Sequence, residues 1–133
     1  QYILFPKMLA LAERAWSSTK DWDNATHRDI IAEQQPYWNE FTNRLGQLHL
    51  PTLDEQAIDY RLPLPGAIIE NDTLYANVSF PGLIIKYTTD GKEPNWDSET
   101  YTKPVLVKDN VVKLKAYTHN KRGSRTSILP KKN

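Results

Sequence analysis

The spacing of apolar residues changes once along this chain, and that change limits the fold more than any other feature. Up to about residue 55 apolar residues recur every three or four positions, as on one face of a helix. From about residue 56 they alternate with polar residues, as in strands with one buried face. The pattern predicts an α+β chain with a helical segment at 1–55 and a β domain at 56–133. Prolines and a glycine punctuate the boundary, at Pro51, Pro63, Pro65 and Gly66.

The helical half reads as two regions. A helix over residues 5–16 begins near Pro6, which suits a first turn, and its apolar residues cover most of the circumference. Such a helix requires burial on more than one side. A second region over residues 26–48 contains Pro36, which predicts a kink or a division into two helices. One face of this region is expected to be buried, namely Trp38, Phe41, Leu45 and Leu48.

The second half contains short alternating segments separated by turn dipeptides such as Asp90-Gly91 and Arg122-Gly123. About seven strands fit into roughly 75 residues, which predicts a small immunoglobulin-like antiparallel sandwich. The clearest inward sets are Leu74, Ala76, Val78 and Phe80, then Ile85 and Tyr87, then Val112, Leu114 and Ala116.

Composition removes several classes of site. There is no cysteine, and the three histidines lie far apart, so no metal or cofactor site is predicted. No apolar run reaches the ~20 residues of a membrane span. Residues 56–133 carry 12 basic and 8 acidic residues. A nucleic-acid surface is one reading of that excess, but Lys113 and Lys115 alternate with apolar residues, which favours the solvent face of a strand. No nucleic-acid partner is therefore expected.

Four segments, in order, resemble one enzyme family. Residues 1–16 (QYILFPKMLALAERAW) are similar to the last barrel helix of glycoside hydrolase family 20, in an aromatic-proline-basic triplet followed by Glu-Arg-x-Trp. Arginine is usual at the basic position, where this chain has Lys7. Residues 41–47 (FTNRLGQ) and 60–67 (YRLPLPGA) resemble the bacterial chitobiase branch. Residues 87–91 (YTTDG), with Tyr101 and Pro104, resemble its β-sandwich module.

This resemblance implies the C-terminal end of an exo-acting β-N-acetylhexosaminidase, with 1–55 closing a TIM-type barrel and 56–133 forming an accessory sandwich. The parent would hydrolyse terminal N-acetyl-hexosamine residues of chito-oligosaccharides by a retaining, substrate-assisted mechanism. Its catalytic motifs, an Asp-Glu pair and a Trp-x-Glu loop, would lie upstream. No catalytic residue is assigned here, and the chain alone is expected to be inactive. The resemblance also implies a bacterial protein that is periplasmic, bound to the outer membrane or secreted.

Two aromatic residues after the Asp90-Gly91 turn, Trp96 and Tyr101, are candidates for stacking on sugar rings. The alternative is that Trp96 covers the edge of its own core or packs on the helical segment. The β domain could instead be structural, or could bind proteins through its basic strand faces. Glu13 and Arg14 are expected to be structural, as a helix charge pair or as anchors to the barrel rim, rather than catalytic. The helix at 5–16 is expected to pack on the sandwich, to swap between copies of the chain, or to drive self-association.

Overall fold

The computed structural model of the protein describes residues 4–18, 27–107 and 111–130. These fall into two compact units, residues 1–61 and 62–133. The first holds three α-helices and a π-helical turn, and the second holds seven strands, which confirms the α+β class. The helices are α1 (Lys7–Trp16), α2 (His27–Arg44) and α3 (Leu50–Glu55), with the π turn at Leu45–His49. The strands are β1 (Gly66–Glu70), β2 (Thr73–Asn77), β3 (Ile84–Thr88), β4 (Glu99–Thr100), β5 (Val105–Leu106), β6 (Val112–Tyr117) and β7 (Ser127–Leu129).

Helix α1 begins one residue after Pro6, which occupies the N-cap rather than the first turn. None of its residues is buried. Leu11 is 70% exposed and Trp16 is 89% exposed. The expectation of burial on several sides is therefore not met within the described part of the chain. An apolar circumference left in water is unfavourable in proportion to its area, so α1 presents a surface suited to contact with other protein.

Helix α2 passes through Pro36 without dividing, so the alternative of two separate helices is wrong. Proline removes one hydrogen bond from a helix and leaves the carbonyl four residues earlier without its partner. That carbonyl belongs to Ala32, and residues 31–40 are all exposed. Water can therefore hydrate the freed carbonyl, which limits the cost of keeping Pro36 inside the helix.

The π turn shifts the buried face by one position. Phe41 and Leu45 are buried as the spacing predicts, but Leu48, within the turn, is 58% exposed. The prediction for Trp38, which lies before the turn, is also wrong, since Trp38 is 52% exposed. In the π turn the N–H of Leu50 bonds to the carbonyl of Leu45, five residues back. The extra residue in that turn rotates Leu48 outward. The buried positions that continue the face are Leu50 and Leu53.

The seven strands form two antiparallel sheets. One has the order β1-β2-β5 and the other the order β4-β3-β6-β7. The β3–β6 ladder is the longest of the three ladders in the second sheet. It aligns Ile85 with Ala116 and Tyr87 with Leu114. Consecutive strands therefore move from one sheet to the other after β2, after β4 and after β5, which is the connectivity of a sandwich rather than of a single meander.

A single apolar core joins the two sheets. Leu74 from β2 packs with Ile85 and Tyr87 from β3 and with Val112 and Leu114 from β6. These are the inward positions that the alternation predicts. Burying one such side chain contributes about 1.5–3 kcal/mol to folding, so the core holds the two sheets face to face. The outer face of β3 and β6 is left to carry polar and charged side chains.

Candidate functional site

The loop at residues 89–98, between β3 and β4, is fixed at both ends by side-chain hydrogen bonds. At its start, the N–H of Lys92 donates to Asp90 Oδ1 at 3.0 Å, and Gly91 adopts a positive φ of 77°. Such a φ is strained for residues with a Cβ, which accounts for glycine there. Near its end, the N–H of Asp97 donates to Asn95 Oδ1 at 2.9 Å. The loop therefore holds Trp96 in one defined turn.

Trp96 is half-buried, and its ring has defined neighbours. It meets the ring of Tyr117 edge-on, with centroids 5.8 Å apart and an interplanar angle of 75°. The hydroxyl of Tyr117 donates to the carbonyl of the buried Pro94 at 3.0 Å. An edge-on contact of this kind stabilises an aromatic pair by about 0.5–1.5 kcal/mol beyond its buried area. Trp96 therefore packs partly on its own sandwich and leaves part of the ring in solvent.

Two lysine ammonium groups lie close to the Trp96 ring. Lys86 Nζ is 5.4 Å and Lys121 Nζ is 5.7 Å from its centroid, both within cation–π range. Lys86 comes from β3, where it faces away from the core, and Lys121 comes from the turn after β6. Lys86 is also held in place, because its ammonium donates to the carbonyl of Ser98 at 3.0 Å and to Thr100 Oγ1 at 2.7 Å. The site is thus an aromatic ring with two ammonium groups over it, of which that of Lys86 is anchored by hydrogen bonds.

Tyr101 is bonded inside the sandwich. Its ring meets Tyr87 edge-on at 6.3 Å, and it packs against the core. Its hydroxyl accepts the N–H of Ala76 at 3.0 Å. Trp96 and Tyr101, which the sequence puts forward together, therefore pack with different partners. Trp96 is the one whose ring borders exposed charged groups.

The predicted solvent face of β6 is occupied by an ion-pair cluster. Glu93 lies 3.0 Å from Lys115 Nζ and 3.6 Å from Lys113 Nζ. The hydroxyl of Thr126 also donates to the Glu93 carboxylate. That hydrogen bond, followed by the bond from Lys115, holds the pKa of Glu93 below its ordinary value. The two lysines are thus partly neutralised by a residue of the Trp96 loop.

Glu13 has a structural partner in the helical unit. Its carboxylate lies 2.5 Å from Arg44 Nη2, which ties α1 to the end of α2. The two helices border a groove of about 470 Å³. Its aromatic and apolar lining includes Ile31, Tyr37, Trp38 and Phe41. The ion pair fits the expectation that Glu13 is structural.

The two short catalytic motifs of glycoside hydrolase family 20 both occur in this sequence by residue type. Trp-x-Glu is found at Trp38-Asn39-Glu40 and Asp-Glu at Asp54-Glu55. The structure places the first inside α2 and the second at the end of α3. In a TIM-type barrel the catalytic groups stand on loops that follow strands. Neither helical string has that setting, so neither carries a catalytic assignment. Among the described residues there is also no group of three or more potential metal ligands.

No helix in the described ranges is both long and apolar enough to cross a bilayer.

Most of the β unit lies within a known domain. Residues 49–126 match the family described as the chitobiase/beta-hexosaminidase C-terminal domain. The chain belongs to this family.

Two named relatives extend the match beyond the domain. The N,N'-diacetylchitobiase of Vibrio harveyi is 40% identical over 106 residues, which cover 72% of this chain and 12% of the relative. The beta-hexosaminidase of Vibrio vulnificus is 32% identical over 148 aligned positions, covering 98% of this chain and 17% of the relative. The chain thus spans less than a fifth of either relative's length. The similarity to the second relative includes the helical unit as well as the chitobiase/beta-hexosaminidase C-terminal domain.

The charged neighbours of Trp96 could not have been found from sequence. Lys86 stands at an outward position of β3, which alternation does indicate, but Lys121 reaches the ring from the turn after β6. No periodicity relates these positions along the chain.

Proposed function

We propose that this chain is the C-terminal, non-catalytic part of an exo-β-N-acetylhexosaminidase. The observation that carries the proposal is the match of 98% of the chain to a beta-hexosaminidase, with the β unit in the C-terminal domain family. In the proposed enzyme the helical unit closes the catalytic barrel and the sandwich stabilises it. The enzyme would remove terminal N-acetyl-hexosamine residues from chito-oligosaccharides with retention, in a bacterial periplasm, at an outer membrane or outside the cell.

The exposed side chains of α1 support a covering role. Leu11, Trp16 and Met8 all stand in solvent in this chain, on a helix that is fixed to α2 by the Glu13–Arg44 ion pair. Apolar residues on a positioned helix are suited to burial against a larger body. In isolation the same residues would drive self-association of the chain.

A second candidate function is carbohydrate binding by the sandwich. The observation that favours it is the setting of Trp96, whose ring is fixed by Tyr117 and remains partly exposed. A fixed aromatic face can stack on the apolar face of a sugar ring with little loss of conformational entropy. Protein binding through the basic strand faces has less support, because Lys113 and Lys115 are already paired with Glu93.

Calorimetric titration of the chain with chito-oligosaccharides, followed by analysis of the recovered sugar, tests these roles together. Binding without cleavage supports the sugar-binding sandwich, and absence of both supports a purely structural role. Cleavage by the chain alone would contradict the proposal that it is non-catalytic. Trp96→Ala should abolish any binding, whereas Trp38→Ala, a matched change on the helical unit, should leave it intact.

A further inference from the structure

We propose that the outer face of the β1-β2-β5 sheet binds the catalytic part of the same polypeptide, an inference that rests on the proposed function and adds the place of contact. The sandwich has two outer faces, one on each sheet. One of them is covered by a loop of the sandwich, whereas the other exposes apolar side chains. The exposed apolar face is therefore the one that gains stability from a protein partner.

Three apolar side chains stand together on the outer face of the β1-β2-β5 sheet. Ile68 in β1 pairs directly with Tyr75 in β2, and these residues are 53% and 44% exposed. Leu106 in β5 is 64% exposed and pairs with Thr73, two residues before Tyr75 on the same side of β2. A cross-strand partner and its diagonal neighbour lie within reach of each other, so the three side chains form one apolar strip across the sheet. Glu70 is the only charged residue in these three strands, all of which the structure describes.

The outer face of the β4-β3-β6-β7 sheet is covered by the loop at residues 89–98. Trp96 of this loop packs edge-on against Tyr117, an outward residue of β6. Glu93, also in the loop, lies 3.0 Å from Nζ of Lys115, a second outward residue of β6. Among the described residues the β1-β2-β5 face has no such cover, as the exposed fractions of its side chains show. The two faces therefore differ both in chemistry and in how far the sandwich itself shields them.

The size of the apolar strip favours a partner on the same polypeptide. A stable interface between separate proteins buries about 800 Å² on each side. Three partly exposed side chains supply much less than that, so the strip is too small to hold a second copy or a free protein by itself. A tethered partner requires less contact, because the linkage keeps it at a high effective concentration. The matched segment is 12% and 17% of the two Vibrio relatives, so in them it is joined to a far longer polypeptide.

The chemistry of the face defines the surface that fits it. The centre of the complementary surface is apolar, since it meets Ile68, Tyr75 and Leu106. Its rim offers a hydrogen-bond donor or a basic group to Glu70, because a carboxylate buried without a partner is costly. The catalytic part is therefore expected to present an apolar patch with a polar or basic border.

Hydroxyl-radical footprinting of Tyr75, in this chain and in the full-length polypeptide, is the first test. The rate of labelling follows the exposed area of a side chain. Tyr75 is 44% exposed here, so burial at the centre of a contact should slow its labelling about fivefold in the full-length polypeptide. Trp96, on the other face of the sandwich, is the internal control and should be labelled equally in both proteins.

Two matched substitutions test the face itself. Leu106→Asn and Ile128→Asn each replace a mostly exposed aliphatic residue, 64% and 60% exposed, on a short edge strand of a different sheet. In this chain alone both should have equally small effects, since both side chains stand in solvent. In the full-length polypeptide Leu106→Asn should lower the melting temperature by about 2–4 °C more than Ile128→Asn does. Leu106→Asn should also restore the fast labelling of Tyr75.

The failure of the contact and the failure of the proposed function give different results. Equal labelling of Tyr75 in the two proteins, or equal effects of the two substitutions in the full-length polypeptide, would overturn the contact and leave the proposed function standing. A full-length polypeptide without hexosaminidase activity would overturn the proposed function. Slow labelling of Tyr75 already in this chain would also overturn the contact, and slowing that sets in with rising protein concentration would assign the face to a second copy.

Discussion

The hydroxyl of Tyr101 accepts the backbone N–H of Ala76 at 3.0 Å and so joins the two sheets of the sandwich. Tyr101 follows β4 in the four-stranded sheet, where its own N–H donates to Ile85. Ala76 lies in β2 of the other sheet, beyond the two residues that β5 pairs with, Thr73 and Leu74. The side chain therefore takes the place that a longer β5 would have filled.

Replacing Tyr101 with Phe should destabilise the sandwich by about 1–2 kcal/mol. The change leaves the N–H of Ala76 without its acceptor, and an unmade buried hydrogen bond costs more than a made one contributes. Chemical denaturation followed by circular dichroism measures the loss. Tyr75→Phe on the exposed face of β2 is the control and should change stability by less than about 0.5 kcal/mol. Equal effects of the two variants would contradict the role of the hydroxyl.

The π turn predicts opposite outcomes for two leucines that are two residues apart. Leu50→Ala should destabilise the helical unit by about 2–4 kcal/mol, because Leu50 is 2% exposed and its removal leaves a cavity. Leu48→Ala should be nearly neutral, since Leu48 is largely in solvent. Thermal unfolding followed by the helical circular dichroism signal compares them. A greater loss of stability from Leu48→Ala than from Leu50→Ala would contradict the π turn and support a continuous α-helix.

Glu93→Gln should remove part of the pH dependence of stability on the acid side. The pKa of Glu93 is lowered in the folded state, so the unfolded chain binds protons more readily. The stabilisation is therefore complete above the ordinary pKa of 4.5 and is lost as the pH falls through the lower folded value. The melting temperatures of wild type and variant should differ at neutral pH and converge in acid. The neutral-pH difference should shrink in salt.

Convergence in acid is the deciding observation for that cluster. A difference that stays constant from neutral to acid pH would show that the Glu93 carboxylate does not stabilise the fold through its charge. Asp97→Asn in the same loop removes a carboxylate that is not part of the Glu93 ion-pair cluster, and so serves as the matched variant.

Gly123→Ala should shift the Trp96 ring indirectly, through Tyr117. A Cβ at position 123 would lie 2.8 Å from Cε1 of Tyr117, whose hydroxyl is bonded to Pro94. The ring must move, and overpacking of this kind costs about 1–3 kcal/mol. Because Tyr117 supports Trp96, the indole N–H resonance of Trp96 should shift in NMR spectra. In the control Gly66→Ala the new Cβ meets the movable end of Asn77, and the Trp96 resonance should stay in place.

The strands follow from the sequence because each has one buried face. A shift of one residue in the strand register would point the side chains of Ile85 and Tyr87 toward solvent instead of the core. Alternation alone therefore determines which side chains enter the core. The helical face is harder to predict. A π turn leaves no recognisable pattern of residue types. Leu48 is the position that a continuous α-helix would bury, whereas Leu50 is the position that the helix with its π turn does bury, and both are leucines.

The candidate site could be predicted only in part. Trp96 can be singled out as an aromatic residue in a turn-rich loop, but its environment depends on tertiary contacts with Tyr117, Lys86 and Lys121. The position of Tyr101 could not be predicted either, since β4 is two residues long and gives no alternation to read.

The sheet edges carry a consequence for the behaviour of this module at high concentration. Exposed edge strands are templates for pairing with other chains. Here β4 and β5 have two residues each and β7 has three, with Pro104 before β5 and Pro130 after β7. The remaining edge, β1, begins after Pro65, whose carbonyl accepts the hydroxyl of Ser127. Three of the four sheet edges thus offer neighbouring molecules only two or three residues for strand pairing, which disfavours amyloid-like polymerisation of the domain.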